Sequence, residues 1–313
     1  MTEPAVTVLC GGLGGARLAL AFRDAGIPAR FVTNVGDDVE VDGLLVCPDT
    51  DAVLHALAGC FDEERGWGVR GDVFPPAPGG ATPWFNVGHR DRAHHERRAA
   101  LLSGDRSLSE ATAALAAELA VPFPVVPVTD DPVRTRIRTA DGWLGWQEWL
   151  VRERAEPPVL AIEHLGASSA RPAAGVVEAV RDAALVVLAP SSPLASLAPI
   201  VAVPGVGEAL WRRSGPTVAI SPVVRRRPLR TDRDRHRARA RAALLAAAGI
   251  QHDPVAVAGW YVGLADTFVL DRADAADAPL VADRGFRVLV EETVGVRPSL
   301  ARTVATLAAT GAT

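Results

Sequence analysis

Ala5-Val6-Thr7-Val8-Leu9-Cys10, then Gly11-Gly12-Leu13-Gly14-Gly15-Ala16, then Arg17-Leu18-Ala19-Leu20-Ala21-Phe22 opens the chain with an apolar run, a glycine cluster and an Ala/Leu segment at helical spacing. That succession predicts strand, tight turn and helix, the first half of a nucleotide-binding unit. Glycines at such a turn let backbone amides approach a phosphate, and the helix N-terminus adds partial positive charge. Arg17 stands where the dinucleotide fingerprint asks for Gly or Ala, which argues against a plain NAD site. The glycines equally suit a tight turn with no ligand.

The 313 residues suffice for a full core, and 49% hydrophobic with 22% charged residues describes an ordinary globular chain. A net charge of −4, from 33 basic and 37 acidic residues, argues against bulk nucleic-acid binding. All basic residues other than histidine are arginine, so a Walker A lysine, a Schiff base and a lysine nucleophile are excluded. Cys10, Cys47 and Cys60 are odd in number and widely spaced, and are expected as free thiols. Glu3 and Pro4 interrupt any leader pattern, and no uncharged apolar run reaches about 18 residues, so neither secretion nor a membrane span is expected. A cytoplasmic location is the default.

Beyond the first helix, Ala29–Thr33 reads as a second strand ending in Asn34-Val35-Gly36-Asp37-Asp38. Ligands of open α/β sheets lie past the carboxyl ends of strands, where Asp37 and Asp38 form an adjacent acidic pair. Two such carboxylates repel unless a cation separates them, so a divalent metal is a natural partner. Asp49 and Asp51 open the next helix, where capping also asks for them. Pro75–Gly80 marks irregular backbone, and residues 85–122 read as a helical insertion. Val133–Trp149 reads as a β-hairpin with an arginine-bearing face, and Val159–Ile162 as a further strand. Ala184–Ala189 is a buried strand running into Pro190-Ser191-Ser192-Pro193; Thr217–Ile220 repeats the pattern before Ser221. The arginine-rich tract from Arg225 to Arg241 reads as a solvated helix face. Late strands around residues 267–270 and 286–290 and a final helix over 299–309 complete one three-layer α/β/α, Rossmann-like domain over 1–313 with a mostly parallel sheet.

In this order the motifs resemble the 2-phospho-L-lactate transferase family of coenzyme F(420) biosynthesis. The matching pieces include Gly11–Ala16, Asn34–Asp38, Gly43–Asp51, Trp84-Phe85, Arg90-Asp91, His95, Gln147-Glu148-Trp149, Pro190-Ser191 and Ser221-Pro222. The resemblance implies transfer of a phospholactyl or phosphoenolpyruvyl group from a guanosine diphosphate-linked donor to the hydroxyl of the deazaflavin Fo, with GMP released and Mg²⁺ required. Carried over, it sets Gly11, Gly12, Gly14 and Gly15 at the donor's phosphates, with Asp37 and Asp38 as catalytic residues. It makes Asp37, Asp38, Asp49 and Asp51 the metal ligands. Asn34, Trp84, His89, Arg90, Asp91, Ser191, Ser192 and Ser221 are then expected to line the substrate crevice. The chain departs from the family pattern at His89, Ser192 and Arg225-Arg226-Arg227. A fold-sharing alternative is the non-catalytic, nucleotide-binding gluconeogenesis-factor group, but Val39-Glu40-Val41-Asp42 after the aspartates favours the transferase. A homodimer is left open.

Overall fold

The computed structural model describes residues 5–75 and 83–310; most of the Pro75–Gly80 stretch lies outside them. Its strands are β1 (Val6–Cys10), β2 (Arg30–Thr33), β3 (Val39–Val41), β4 (Leu44–Val46), β5 (Val125–Pro127), β6 (Arg134–Thr139), β7 (Gly142–Gly145), β8 (Ala161–Leu165), β9 (Leu185–Leu188), β10 (Thr217–Ile220), β11 (Thr267–Asp271) and β12 (Arg287–Glu291). The helices are α1 (Gly12–Ala25), α2 (Pro48–Ala58), α3 (His89–Leu102), α4 (Leu108–Glu118), α5 (Val176–Arg181), α6 (Ala198–Val201), α7 (Val206–Arg212), α8 (Asp232–Ala247), α9 (Pro254–Ala258), α10 (Ala278–Ala282) and α11 (Pro298–Thr310).

Seven strands form one sheet in the order β12-β11-β10-β9-β1-β2-β5, every neighbouring pair parallel. Its strands are apolar on both faces because both are covered, and the two-residue period divides each strand between two cores. Val6, Val8, Phe31, Leu185, Val187, Val218 and Val269 pack with Leu18, Leu57, Leu115 and Leu300 of α1, α2, α4 and α11. The alternate residues Leu9, Val32, Val186, Leu188, Ala219 and Phe268 pack with Val180, Leu210, Val257 and Val281 of α5, α7, α9 and α10. Burying a side chain such as Phe31, which has no exposed surface, is worth about 2–3 kcal/mol. No single helix among the described residues is long and apolar enough to cross a membrane.

The structure adds to three readings of the sequence. The strand read at Val159–Ile162 runs from Ala161 to Leu165 as β8 and joins β6 and β7 in a separate antiparallel sheet, β7-β6-β8. Its Glu163 and His164 are half-buried and bond Arg136 and Thr135 of β6, a pattern suited to a sheet with a wet face. The arginine tract is not simply a solvated face: Arg233 and Arg237 of α8 donate to the carbonyls of Glu63 and Gly66, clamping the helix to that loop. Ahead of α8, Arg225 and Arg226 pair with Asp277, and Arg226 also with Asp274. Residues 85–122 include α3 and α4, with Ser107 and Glu110 forming the capping box that starts α4.

Candidate active site

The chain runs from β1 outward through β2 and β5, then returns to β9 on the other side of β1 and continues outward to β12. The switch point therefore lies between β1 and β9, where open α/β sheets bind ligands beyond the strand ends. The loops after these strands are locked together. The Gly11 amide donates to Ser191 Oγ at 3.0 Å, and that hydroxyl donates to the Gly11 carbonyl at 2.7 Å. A Cβ on Gly14 would come within 2.1 Å of the Pro190 carbonyl oxygen, so glycine is needed there for packing. Gly12 has φ +59° and donates its amide to Asp49 Oδ1. Among the described residues, the amides of Leu13 and Gly14 have no acceptor and stand at the start of α1.

Asn34, just past β2, organises the carboxylates. Its Nδ2 donates to Asp37 Oδ1 at 2.8 Å and to Asp49 Oδ2 at 3.0 Å, while its Oδ1 accepts from the Gly36 amide. Asp49 comes from the first turn of α2, which a Thr33–Thr50 hydroxyl contact of 2.8 Å holds against β2. Neither carboxyl makes an ion pair among the described residues. Burial, then the charges of Asp49 and Asp38, push Asp37 well above the usual carboxylate range. Burial also raises Asp49, against the bonds from Asn34 and Gly12 that favour its ionised form. Asp38 is pushed up to about 8 by burial, opposed chiefly by Arg134, and its Oδ1 is buried without a partner. Two buried carboxyls held on one amide, with no cation paired to either among the described residues, are oxygen donors of the kind a hard divalent cation takes.

Asp51 does not join this group. Both guanidinium Nη atoms of the fully buried Arg98 donate to it, and His95 Nε2 lies 3.3 Å away. Burial alone would raise Asp51, but Arg98 and His95 outweigh it and hold the carboxyl well below its usual range. Its negative charge is already matched by Arg98, unlike those of Asp37 and Asp49. Neither Asp49 nor Asp51 is the cap of α2: that position is Cys47, whose amide donates to Asp51 Oδ2.

A cleft of about 410 Å³ opens from Asp37 and Asp38. Its other walls are Arg134 and Arg136 of β6, Trp143 of β7, Trp84, Trp146 and Gln147. Gln147 Nε2 lies 3.4 Å from Asp37 Oδ2. Arg136 sits 4.5 Å from the Trp143 ring centre and bonds Glu163, so this aromatic face is held in place from behind. A second cleft of about 270 Å³ shares Asp38 and Arg134 with the first.

Of the expected crevice residues, Asp37, Asp38 and Trp84 line this cleft, and Asn34 and Asp49 connect to it through Asp37. Ser191 ties down the glycine turn. Ser192 caps the following turn by accepting from the Ala195 amide, and Ser221 bonds Val223 within its own loop. His89, Arg90 and Asp91 begin α3 away from the cleft lining, with the Arg90 and Asp91 amides both bonded to Asp72. His89 itself is exposed at the start of α3. Sequence reading singles out neither Arg98 nor Gln147 as a site residue, and assigns the arginines of β6 only to one face of a hairpin. Alternation of Arg134, Arg136 and Arg138 was the available signal, since it sets them all on one face.

The fold is an α/β protein with a parallel central sheet, and its candidate site lies beside the topological switch point of that sheet. Residues 6–293 match the family model for the 2-phospho-L-lactate transferase CofD, and the chain belongs to that family and is a transferase. It is 37% identical over 294 residues to a phosphoenolpyruvate transferase of Streptomyces griseus, covering 90% of each chain. A phosphoenolpyruvate transferase of Mycolicibacterium smegmatis is 34% identical over 288 residues, covering 85% of this chain and 86% of that protein. The crystal structure of protein BH3568 from Bacillus halodurans shares the fold, with a TM-score of 0.66 at 17% identity over 97% of this chain and 100% of that one.

Proposed function

We propose that this transferase moves a phosphoenolpyruvyl group from a guanosine diphosphate-linked donor to the primary hydroxyl of the deazaflavin Fo, releasing GMP in coenzyme F(420) biosynthesis. The enolpyruvyl rather than the lactyl donor is favoured by the names of the similar Streptomyces and Mycolicibacterium proteins. The observation that carries the reading is the buried Asp37–Asn34–Asp49 arrangement beside the free amides of α1.

In this reading the amides of Leu13 and Gly14 receive the donor's phosphate oxygens at the positive end of α1. Asp37 and Asp49 hold Mg²⁺, with Asn34 and Gln147 fixing the carboxylates. Held there, Mg²⁺ would supply positive charge to compensate the negative charge on the phosphoryl oxygens. The deazaflavin ring lies on the face of Trp143 and Trp84, which places its hydroxyl at Asp38. With a proton affinity pushed up to about 8, Asp38 suits a base near neutral pH and takes the proton of the attacking hydroxyl. That oxygen bonds to phosphorus as the bond to the GMP oxygen breaks. Arg134, beside Asp38, steadies the negative charge in transit.

The test is incubation of the protein with Fo, Mg²⁺ and each guanylyl donor in turn, with the product identified by mass. Formation of the phosphoenolpyruvyl phosphodiester of Fo together with GMP supports the reading. Binding of guanine nucleotide with neither donor consumed would contradict it and return the chain to the regulatory alternative.

A further inference from the structure

We propose that His55, Asp91 and His94 form a site for a first-row transition-metal ion, with zinc the natural occupant, clamping α2 to α3. This site is separate from Asp37 and Asp49 and does not depend on the transfer reaction. His55 Nε2 and His94 Nδ1 are 2.9 Å apart, Asp91 Oδ1 is 3.9 Å from His55 Nε2, and one donor atom from each residue lies within 4.8 Å of the others. Nitrogen and oxygen ligands around tetrahedral zinc at about 2.0–2.1 Å stand about 3.3 Å from one another, so the three atoms need shifts of about an ångström or less.

The donor set is as telling as the spacing. Asp91 and His94 are three residues apart on α3 and so share a face, and His55 meets them from the facing helix. His55 is 1% exposed and is held neutral by burial, which leaves an imidazole lone pair for a metal. Between two nitrogens in hydrogen-bond contact only one hydrogen fits, so one lone pair already points into the gap. Two imidazoles and a carboxylate suit zinc and its neighbours rather than Mg²⁺, which prefers oxygen ligands alone. Around the site, His95 Nε2 lies 3.6 Å from Asp91 Oδ1 and 3.3 Å from Asp51 Oδ2, and Arg98 anchors Asp51. Such outer partners orient a ligating carboxylate. His94 is only half-buried, which leaves a side for entry and for a fourth ligand. An ion here fixes α2, whose first turn presents Asp49.

The test uses full-length protein dialysed against a chelator and then titrated with Zn²⁺ by calorimetry in excess Mg²⁺, with melting temperature followed in parallel. One equivalent of Zn²⁺ binding, a higher melting temperature, and retention of both by Asp37→Asn support the site. His94→Ala, at the half-buried ligand, should fold, bind Zn²⁺ about a hundredfold more weakly and lose the thermal shift. His55→Gln and Asp91→Asn should do the same. Failure of the wild-type protein to bind Zn²⁺, or undiminished binding in folded His94→Ala, would overturn the proposal and leave a hydrogen-bonded histidine pair.

Discussion

Asp51 and Arg98 form an ion pair in which the guanidinium is fully buried and donates to both carboxylate oxygens, joining α2 to α3. Breaking such a pair leaves an uncompensated buried charge. Arg98→Ala should therefore lower the unfolding free energy by about 3–5 kcal/mol, measured by urea denaturation. Because the pair holds the folded Asp51 below its ordinary value, its contribution is complete above the unfolded carboxylate pKa of about 3.9 and is lost as pH falls. The gap between wild type and Arg98→Ala should narrow on acidification below about pH 4.

Asp38 has the opposite sign. Its folded pKa of about 8 exceeds the unfolded value, so between about pH 4 and that value the folded state binds more protons and stability falls as pH rises. Asp38→Asn should melt higher than wild type at pH 8, by on the order of 2 kcal/mol, with the difference shrinking toward pH 5. In the same variant, transfer should drop by about 10²–10⁴-fold, because amide replaces the base.

Gly14 and Gly12 respond differently. A side chain on Gly14 meets the Pro190 backbone oxygen, so Gly14→Val should cost about 3 kcal/mol or prevent folding, rather than affect nucleotide binding alone. At Gly12 the nearest atom to a new Cβ is Asp49 Oδ1 at 3.7 Å, and the cost is the positive φ. Gly12→Ala should lose about 1 kcal/mol in a denaturant titration and stay folded.

Trp143 is 38% exposed, so Trp143→Ala should leave the melting temperature nearly unchanged. If the ring stacks on the deazaflavin, the KM for Fo should rise about tenfold or more, since stacking on an aromatic is worth about 1–3 kcal/mol. An unchanged KM would remove this wall from the acceptor site.

The main sheet was legible because β1, β9, β10 and β11 are apolar on both faces and end in glycine, proline or acidic residues, which is what a doubly covered parallel sheet imposes on its strands. β8 was legible as a strand but not as a member of the side sheet, because pairing partners are set by long-range packing. At the site, Asp37 and Asp38 were visible as a pair at a strand end. The division between Asp49, which shares Asn34 with Asp37, and Asp51, which faces Arg98, was not. It depends on contacts 15 and 47 residues apart in sequence that no local spacing encodes. The His55–His94 contact, 39 residues apart, was hidden for the same reason.

The most direct test of the account is GMP release measured against Mg²⁺ concentration for wild type and Asp49→Asn, with the guanylyl enolpyruvyl donor and Fo saturating. Asp49 is bonded to Asn34 and Gly12, and Asn replaces its charge with little change of shape. The account predicts release that needs Mg²⁺ in the wild type and falls by about a hundredfold or more in the folded variant, with a higher Mg²⁺ requirement. Release at the parent rate by chelator-treated wild type, or by Asp49→Asn at the same Mg²⁺ concentration, would contradict it.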